Sequence, residues 1–201
     1  MAKDWTGNTK SVFSTLAASN HSETDRVEKD YYATPPAAVE ELLKRQEFSG
    51  YIIEPAVGGG HIANVLKQHG HKVIGVDIAD RGYKGTIVKD FLLVEEGELR
   101  DADIITNPPY SQAAEFVEHA MDISDDNTKV AMFLKIQFLE SKKRYELFKK
   151  YPPKNVYVFV SRVNCGKNGE FSGGASAVCY AWFVWVKGFA GKPTIDWIDN
   201  F

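Results

Sequence analysis

A strand, a glycine-rich turn, a helix and a second strand follow one another between residues 51 and 77. The apolar run Tyr51-Ile-Ile-Glu54 predicts a short strand, and the turn at residues 55–60 leads into a helical stretch from His61 to about His69. A second predicted strand, residues 72–76, ends at Asp77, twenty-three residues after the end of the first. This spacing fits a βαβ unit.

The glycine turn, Pro55-Ala-Val-Gly58-Gly59-Gly60, also indicates a ligand site. Glycines let the backbone approach a ligand closely and place helix N–H groups around it. The pattern is not G-x-G-x-x-G, and Glu54 would repel a pyrophosphate, so a dinucleotide is disfavoured. A cationic or hydroxyl-rich ligand fits better, and a purely structural turn is the alternative.

Acidic and aromatic residues follow the next two predicted strands. Asp77 ends the second strand, where such folds bind ribose hydroxyls, although a carboxylate there also caps the following turn. A third strand at residues 86–88 leads to Asp90 and Phe91, which we expect to accept from an exocyclic amine and to pack on an adenine ring.

The run Asp103-Ile-Ile-Thr106 predicts a strand that ends in a rigid turn, Asn107-Pro108-Pro109-Tyr110. The two prolines fix their own φ and hold the preceding residue extended, so the Asn107 amide should project from the strand end. An amide, proline carbonyls and a flat ring together suit a planar ligand that carries an amino group. The alternative is an ordinary strand-to-loop turn.

The amino-terminal part divides into an arm and a capped helix. Residues 1–30 are rich in polar residues and predict an extended or partly ordered arm, which we expect to lie over a site or to be a free terminus. Thr34 is the expected N-cap of a helix that runs to about Gln46 with prolines in its first turn. Tyr32 and Thr34 are candidates for the wall of the ligand pocket.

The second half of the chain carries two candidate surfaces for nucleic acid. Residues 129–154 hold eight positive and two negative side chains, which suits a phosphate-facing surface or a solvated helix face. Two long strands, 155–160 and 177–186, should form an antiparallel pair around a loop in which Phe171 either stacks on an extruded base or anchors the hairpin tip. We expect residues 192–197 to pack Ile195 and Trp197 back onto the sheet.

Composition places the chain among cytoplasmic globular proteins. Its 201 residues fit one domain, and 24 basic against 27 acidic residues leave a net charge of −3, so no global basic field attracts nucleic acid. We expect no disulfide framework and no metal site, because the two cysteines and the histidines are scattered. We expect no signal peptide, because the first residues lack an apolar core, and no membrane span, because no apolar run is long enough.

Taken in order, these motifs resemble those of S-adenosylmethionine-dependent DNA N6-adenine methyltransferases, over residues 30 to 190. The segments Trp5-Thr-Gly-Asn8 and Ala18-Ser-Asn-His-Ser22 also look like small methylases of phages and mobile elements. The resemblance implies a Rossmann-like class I methyltransferase fold, with a mostly parallel seven-stranded sheet whose last strand is antiparallel. Residues 31–201 would be a single catalytic domain.

The resemblance also implies roles for individual residues. Asn107, Pro108, Pro109 and Tyr110 would hold and stack the target adenine, extruded from duplex DNA. S-adenosyl-L-methionine would bind to Tyr32, Thr34, Pro35, Glu54, Pro55, Gly58, Gly60, Asp77, Ile78, Asp90 and Phe91. The candidate DNA contacts are Lys135, Lys142, Lys143, Arg144 and Phe171.

Two other functions remain open from the sequence. An amino methyltransferase that acts on ribosomal RNA or protein glutamine also uses Asn-Pro-Pro-Tyr, whereas the upstream Thr34-Pro35 element favours DNA. The second open function is nucleic-acid binding without catalysis, by a module of the same fold. Larger members of the family carry a target-recognition domain for which this chain has no evident counterpart. Recognition would therefore use the amino-terminal arm, the basic segment at residues 135–154, the 161–176 loop or a partner chain.

Overall fold

The computed structural model describes residues 31–98, 101–167, 169–171 and 178–199. The predicted arm at residues 1–30 lies outside the described residues. The strands are β1 (Tyr32–Ala33), β2 (Tyr51–Glu54), β3 (Lys72–Asp77), β4 (Ile87–Val88), β5 (Asp103–Thr106), β6 (Lys129–Lys135), β7 (Asn155–Phe159), β8 (Gly166–Lys167), β9 (Tyr180–Val186) and β10 (Thr194–Ile198). The α-helices are α1 (Pro36–Leu43), α2 (His61–Gln68), α3 (Ala113–Ile123) and α4 (Lys142–Lys150).

Eight of these strands form one sheet in the order β4-β3-β2-β5-β6-β9-β7-β10. All neighbouring strands are parallel except β9, which is antiparallel to both β6 and β7. The predicted mostly parallel α/β sheet and the antiparallel pair of β7 and β9 are therefore confirmed. The described sheet has one strand more than the resemblance implies, because β10 adds at the edge beside β7, and the reversed strand is the penultimate one.

Two apolar cores cover the two faces of the sheet, and β6 shows why the sequence of a central strand is apolar throughout. Val130, Met132 and Leu134 lie in one core with α3 and α4, whereas Ala131 and Phe133 lie in the other with α1 and α2. A strand buried on both faces needs apolar residues at every position. This arrangement leaves the carboxyl ends of the parallel strands as the place for a site.

Helix α1 differs from its prediction at both ends. The prediction of Thr34 as N-cap is wrong, because Pro35 holds the N-cap position and Pro36 begins the helix, as the fixed φ of proline favours. The helix ends at Leu43 and not near Gln46, since the amides of Arg45 and Gln46 both donate to the Leu42 carbonyl and close the last turn. The Trp182 indole donates to the Ala38 carbonyl at 2.7 Å and ties the helix to β9.

The carboxyl-terminal strand only partly follows its prediction. Residues 194–198 do return to the sheet as β10, which is parallel to β7. Ile195 and Trp197, however, stay 53% and 58% exposed because β10 is an edge strand with no described helix over that face. No helix among the described residues is long and apolar enough to cross a membrane.

Candidate active site

A cleft of about 380 Å³ opens at the carboxyl ends of the parallel strands. Pockets that hold cofactors and small ligands commonly have this size and position. Eleven of the predicted site residues line it, contributed by strands β1, β2, β3 and β5 and by the loops that follow β1 to β5. They are Tyr32, Thr34, Glu54, Pro55, Asp77, Ile78, Asp90, Asn107, Pro108, Pro109 and Tyr110.

Glu54 is a buried carboxyl group at the floor of this cleft. Its side chain is 2% exposed, and Oε2 has no hydrogen-bond partner among the described residues. Burial raises the pKa of Glu54 well above its ordinary value; a hydrogen bond from the Ala63 backbone N–H opposes this, and the Asp77 carboxylate adds to it. A cationic ligand would supply the missing partner for Oε2 and compensate the burial of its charge.

Asp77 joins the glycine turn to the end of β3. One carboxylate oxygen accepts from the Gly58 backbone N–H at 2.9 Å, and the other accepts from the Ala79 N–H at 3.2 Å. Arg81 also lies 3.5 Å from this carboxylate. Asp77 therefore caps its own turn, the structural alternative foreseen from the sequence, and lines the cleft as well.

The glycine turn meets aromatic rings of the chain itself. Gly58 and Gly60 have φ of +53° and +81°, and a Cβ on either would lie 2.2 Å from a ring carbon, of Tyr31 and Tyr83 respectively. The glycines are needed for this conformation and this close approach. The side of the turn that lines the cleft is formed by residues 55–57, and Gly58 and Gly60 act through the shape of the turn.

Tyr31 is a cleft residue that the sequence reasoning did not single out. Its hydroxyl accepts from the Gly59 N–H at 2.7 Å and lies 3.0 Å from His61 Nδ1. Arg81 lies over its ring, 5.7 Å from the centroid. Burial raises the pKa of Tyr31, so the hydroxyl stays protonated. The sequence signal was only a second tyrosine immediately before Tyr32.

Asp90 and Phe91 separate in the structure. Asp90 is exposed, lines the cleft and accepts from the Leu92 N–H at 2.9 Å. Phe91 is only 1% exposed and packs in the core on Phe116, with ring centroids 5.1 Å apart. Phe91 does not line the cleft, whereas Phe116, on which it packs, does.

The Asn107 turn brings an oriented amide and an aromatic ring to the cleft. Asn107 Nδ2 donates to the Tyr32 carbonyl at 2.7 Å, so the amide nitrogen is used within the protein and Oδ1 keeps its accepting capacity. The rings of Tyr110 and Tyr32 lie 6.2 Å apart with planes inclined by 26°. Burial, together with Tyr180 and Cys165, raises the pKa of Tyr110 well above its ordinary value.

The basic segment is largely neutralised by contacts within the protein. Lys143 pairs with Glu115 at 3.4 Å, and Lys150 pairs with Glu118 and Asp122. Arg144 donates to backbone carbonyls of residues 137, 138 and 140, which end a short 3₁₀ helix. Lys142 is exposed at the start of α4. Lys135 differs from Lys143 and Lys150 because it makes no ion pair with a described residue. Its ammonium lies over the Tyr110 ring, 4.6 Å from the centroid.

Phe171 lies beside His61, at the start of α2, and does not line the cleft. Its ring contacts the His61 ring edge-on, with centroids 5.5 Å apart, and its side chain is 46% exposed. Strand β8 brings this loop near, because Gly166 and Lys167 pair with β1. Residues 172–177 lie outside the described residues. The described residues of this loop therefore lie next to His61 and Tyr31.

Comparison with solved structures identifies the fold. The chain is similar to a proposed RNA methyltransferase from Pyrococcus horikoshii at 16% identity and a TM-score of 0.60, over 90% of this chain and 99% of that one. It is similar to a predicted O-methyltransferase from Agrobacterium tumefaciens at 11% identity and a TM-score of 0.59, over 81% and 85% of the two chains. A chain of a type I R-M system matches at 15% identity and a TM-score of 0.55, over 96% of this chain and 48% of that one.

No family model matches the sequence, and no curated protein matches it either. The structural likeness is nevertheless consistent across most of the chain, and it agrees with the strand order and the single reversed strand. The chain has the Rossmann-like fold of class I methyltransferases.

Proposed function

We propose that this chain transfers a methyl group from S-adenosyl-L-methionine to the N6 amine of adenine in DNA. The observation that carries the proposal is the orientation of the Asn107 amide. Its nitrogen is held by the Tyr32 carbonyl, its oxygen is left as an acceptor, and the turn lies in the same cleft as the buried carboxyl group of Glu54.

The cofactor half of the cleft fits a ligand that is both cationic and rich in hydroxyl groups. The unpartnered Oε2 of Glu54 suits the cationic methionine end, Asp77 suits the ribose hydroxyls, and Asp90 suits the adenine amine. Thr34 lines the cleft with a buried hydroxyl that has no partner among the described residues. In this proposal Tyr32, Pro55 and Ile78 complete the wall, Pro35 acts only by starting helix α1 behind it, and Gly58 and Gly60 shape the turn.

The cofactor, when bound, supplies a methyl group activated on a sulfonium centre. The task of the protein is to prepare the amine, because the lone pair of adenine N6 is delocalised into the ring. The Asn107 Oδ1 and the Pro108 carbonyl accept its two hydrogens, which favours a pyramidal nitrogen with a localised lone pair. The same two oxygens stabilise the positive charge that develops on nitrogen while the sulfur–methyl bond breaks and S-adenosylhomocysteine leaves. The methylated nitrogen then releases one of its two hydrogens to solvent as a proton.

Tyr110 provides the flat surface on which an extruded base stacks. A ring that replaces the lost stacking of the duplex is worth on the order of 1–3 kcal/mol per base. The raised pKa of its buried hydroxyl keeps Tyr110 neutral, so the ring presents no negative charge to a phosphate-bearing substrate. The recognised DNA sequence would be read outside the cleft, by the chain's own loops or by a partner chain.

The nearest alternative keeps the chemistry and changes the acceptor. The fold likeness to a proposed RNA methyltransferase covers nearly the whole of both chains, and an exocyclic amine in RNA or the amide of a protein glutamine would meet the same two oxygens. A non-catalytic binding module of this fold would have no need of an oriented Asn107 amide.

Labelled cofactor distinguishes these functions. The purified chain is incubated with S-adenosylmethionine labelled in its methyl group and, separately, with unmethylated duplex DNA, ribosomal RNA and a glutamine-bearing release factor. We expect label in DNA, recovered after digestion as N6-methyldeoxyadenosine, and none with Asn107→Ala. Label found only in RNA or in the release factor would overturn the choice of acceptor. Equal background labelling by wild type and Asn107→Ala would favour the binding module.

A further inference from the structure

Among the described residues, Lys135 contacts the aromatic ring of a cleft residue and no carboxylate. It is the last residue of β6, at the carboxyl edge of the sheet, and it is half-buried. It does not itself line the cleft but contacts Tyr110, which does. Its Nζ lies 4.6 Å from the centroid of Tyr110. No carboxylate among the described residues lies within ion-pair distance of it.

Three groups lie against the ring of Tyr110, namely Tyr32, Tyr180 and Lys135, and they differ in freedom to move. Tyr180 is fixed, because it begins β9 and is 5% exposed. Tyr32 is anchored, since β1 pairs with β8 and the Tyr32 carbonyl accepts from Asn107. Lys135 is attached to a fixed strand, but its four-carbon stem is flexible. Among the described residues its ammonium has the Tyr110 ring and the nearby Cys165 thiol as neighbours and no carboxylate. A base that stacks on Tyr110 would therefore displace the ammonium and leave the three tyrosines in place.

A displaced ammonium needs another anion at short range. An extruded nucleotide brings its own backbone phosphates to the mouth of the cleft, within the reach of a lysine stem. The exchange replaces a cation–π contact by a charge-assisted hydrogen bond. We propose that Lys135 covers the stacking face of Tyr110 in the free protein and binds a backbone phosphate of the extruded nucleotide when its base stacks there. This inference rests on the proposed function.

The proposal makes the phosphate, and not the base, the ligand of Lys135. The test compares the binding of deoxyadenosine with that of deoxyadenosine 5′-monophosphate and 3′-monophosphate, by calorimetry with S-adenosylhomocysteine present. For wild type we expect at least one monophosphate to bind about tenfold more tightly than the nucleoside, as one charge-assisted contact allows. Lys135→Met should lose this preference, Lys135→Arg should keep it, and Lys192→Met, at the opposite edge of the sheet, should not change it.

Deoxyadenosine serves as the folding control within the same experiment. Because methionine keeps the apolar stem and removes the competing cation, Lys135→Met should bind the nucleoside at least as tightly as wild type does. An unchanged phosphate preference in Lys135→Met would overturn the proposal. Lys167 is the rival lysine, because it pairs with Tyr32 across β1 and β8. A phosphate preference that is lost in Lys167→Met but kept in Lys135→Met would also overturn the proposal.

A second readout uses DNA and the ionic strength. Removing one phosphate contact should reduce the slope of log Kd against log salt concentration by about 0.7 to 0.9. We expect this for Lys135→Met and not for Lys135→Arg or Lys192→Met. If wild type methylates DNA but Lys135→Met keeps both the slope and the phosphate preference, the inference about Lys135 is wrong and the proposed function stands. If wild type neither binds adenine nucleotides nor methylates any acceptor, the proposed function fails first.

Discussion

The side-chain amide of Asn107 donates a 2.7 Å hydrogen bond to the backbone carbonyl of Tyr32. This bond joins the turn that follows β5 to the segment that precedes α1, two parts of the chain 75 residues apart. It also selects one orientation of the amide, because a flipped amide would place Asn107 Oδ1 against the Tyr32 carbonyl oxygen. The acceptor oxygen is consequently presented by a contact that exists before any substrate binds.

Replacing Asn107 tests this orientation. Asn107→Ala should lower the rate of methyl transfer by a factor of about 10² to 10³, as the loss of one preorganised group at a developing charge does. Cofactor affinity should change less than about threefold, since Glu54 and Asp77 are untouched. Asn107→Asp should be comparably inactive, because a carboxylate cannot donate to the Tyr32 carbonyl. Single-turnover rates and calorimetry measure the two quantities.

The matched control for these variants is Asn64→Ala, an exposed asparagine on α2. It should keep both the rate and the affinity of wild type. A large loss of cofactor affinity in Asn107→Ala would place the amide in the cofactor site and contradict its role in binding the acceptor amine.

Glu54 predicts proton release when a cationic cofactor binds. Burial raises the pKa of Glu54 in the free protein, and a nearby cation lowers it again, so binding at a pH below the raised value expels a proton. Calorimetry in buffers of different ionisation enthalpy should detect this release, and the affinity should rise with pH until Glu54 is ionised in the free protein. Glu54→Gln should abolish the release, and Glu96→Gln should keep it.

Glu54 also predicts the pH dependence of stability without cofactor. Its pKa is higher in the folded than in the unfolded protein, so the free energy of unfolding falls as pH rises from about 4.5 through the raised pKa. Glu54→Gln should remove that fall. Urea unfolding between pH 4 and 8 checks it, and parallel curves for the two proteins would contradict a raised pKa.

Much of the fold and the site could be predicted because both depend on short-range signals. Apolar runs, turn residues and the spacing between Glu54 and Asp77 define parallel strands, and the carboxyl ends of parallel strands meet at one edge. Residues that end different strands, such as Asp77 and Asn107, were therefore expected together and do line one cleft. Thr34 reached the cleft too, although its predicted role as a helix cap was wrong.

What could not be predicted depends on contacts between distant segments. A count of positive charges in residues 129–154 does not reveal that Lys143 and Lys150 face acids on α3, or that Arg144 is used by backbone carbonyls. A phenylalanine in a glycine-rich loop gives no sign that its partner is His61. These pairings follow from tertiary packing, for which the sequence pattern carries no signal.

The contact between Phe171 and His61 predicts a change in a histidine pKa. Burial lowers the pKa of His61, and Phe171 covers one edge of its ring. Phe171→Ala should expose the imidazole and raise its pKa toward the ordinary value of about 6.5. Because the folded pKa is lowered, His61 contributes stability that is present above pH 6.5 and lost as pH falls toward the folded pKa, and this loss should shrink in the variant.

An NMR titration of the His61 ring proton measures the change in pKa, and His71 in the same spectra is the internal control. Equal His61 pKa values in wild type and Phe171→Ala would contradict the contact and return Phe171 to the role of a base-stacking residue. In that case the variant should instead weaken DNA binding without a change in salt dependence.

A comparison of Gly60 with Gly70 separates the backbone strain of a positive φ from the steric clash of an added Cβ. Gly60 and Gly70 have φ of +81° and +86°, but a Cβ on Gly60 would meet the buried Tyr83 ring at 2.2 Å, whereas one on Gly70 would meet nothing within 4 Å. Gly70→Ala should therefore lower the free energy of unfolding by about 1–2 kcal/mol, from the left-handed backbone alone. Gly60→Ala should cost about 1–3 kcal/mol more, because the Tyr83 ring must move within a packed core. Urea unfolding of the two variants measures the difference, and equal losses would mean that Tyr83 yields freely and that the backbone alone holds the glycine turn in shape.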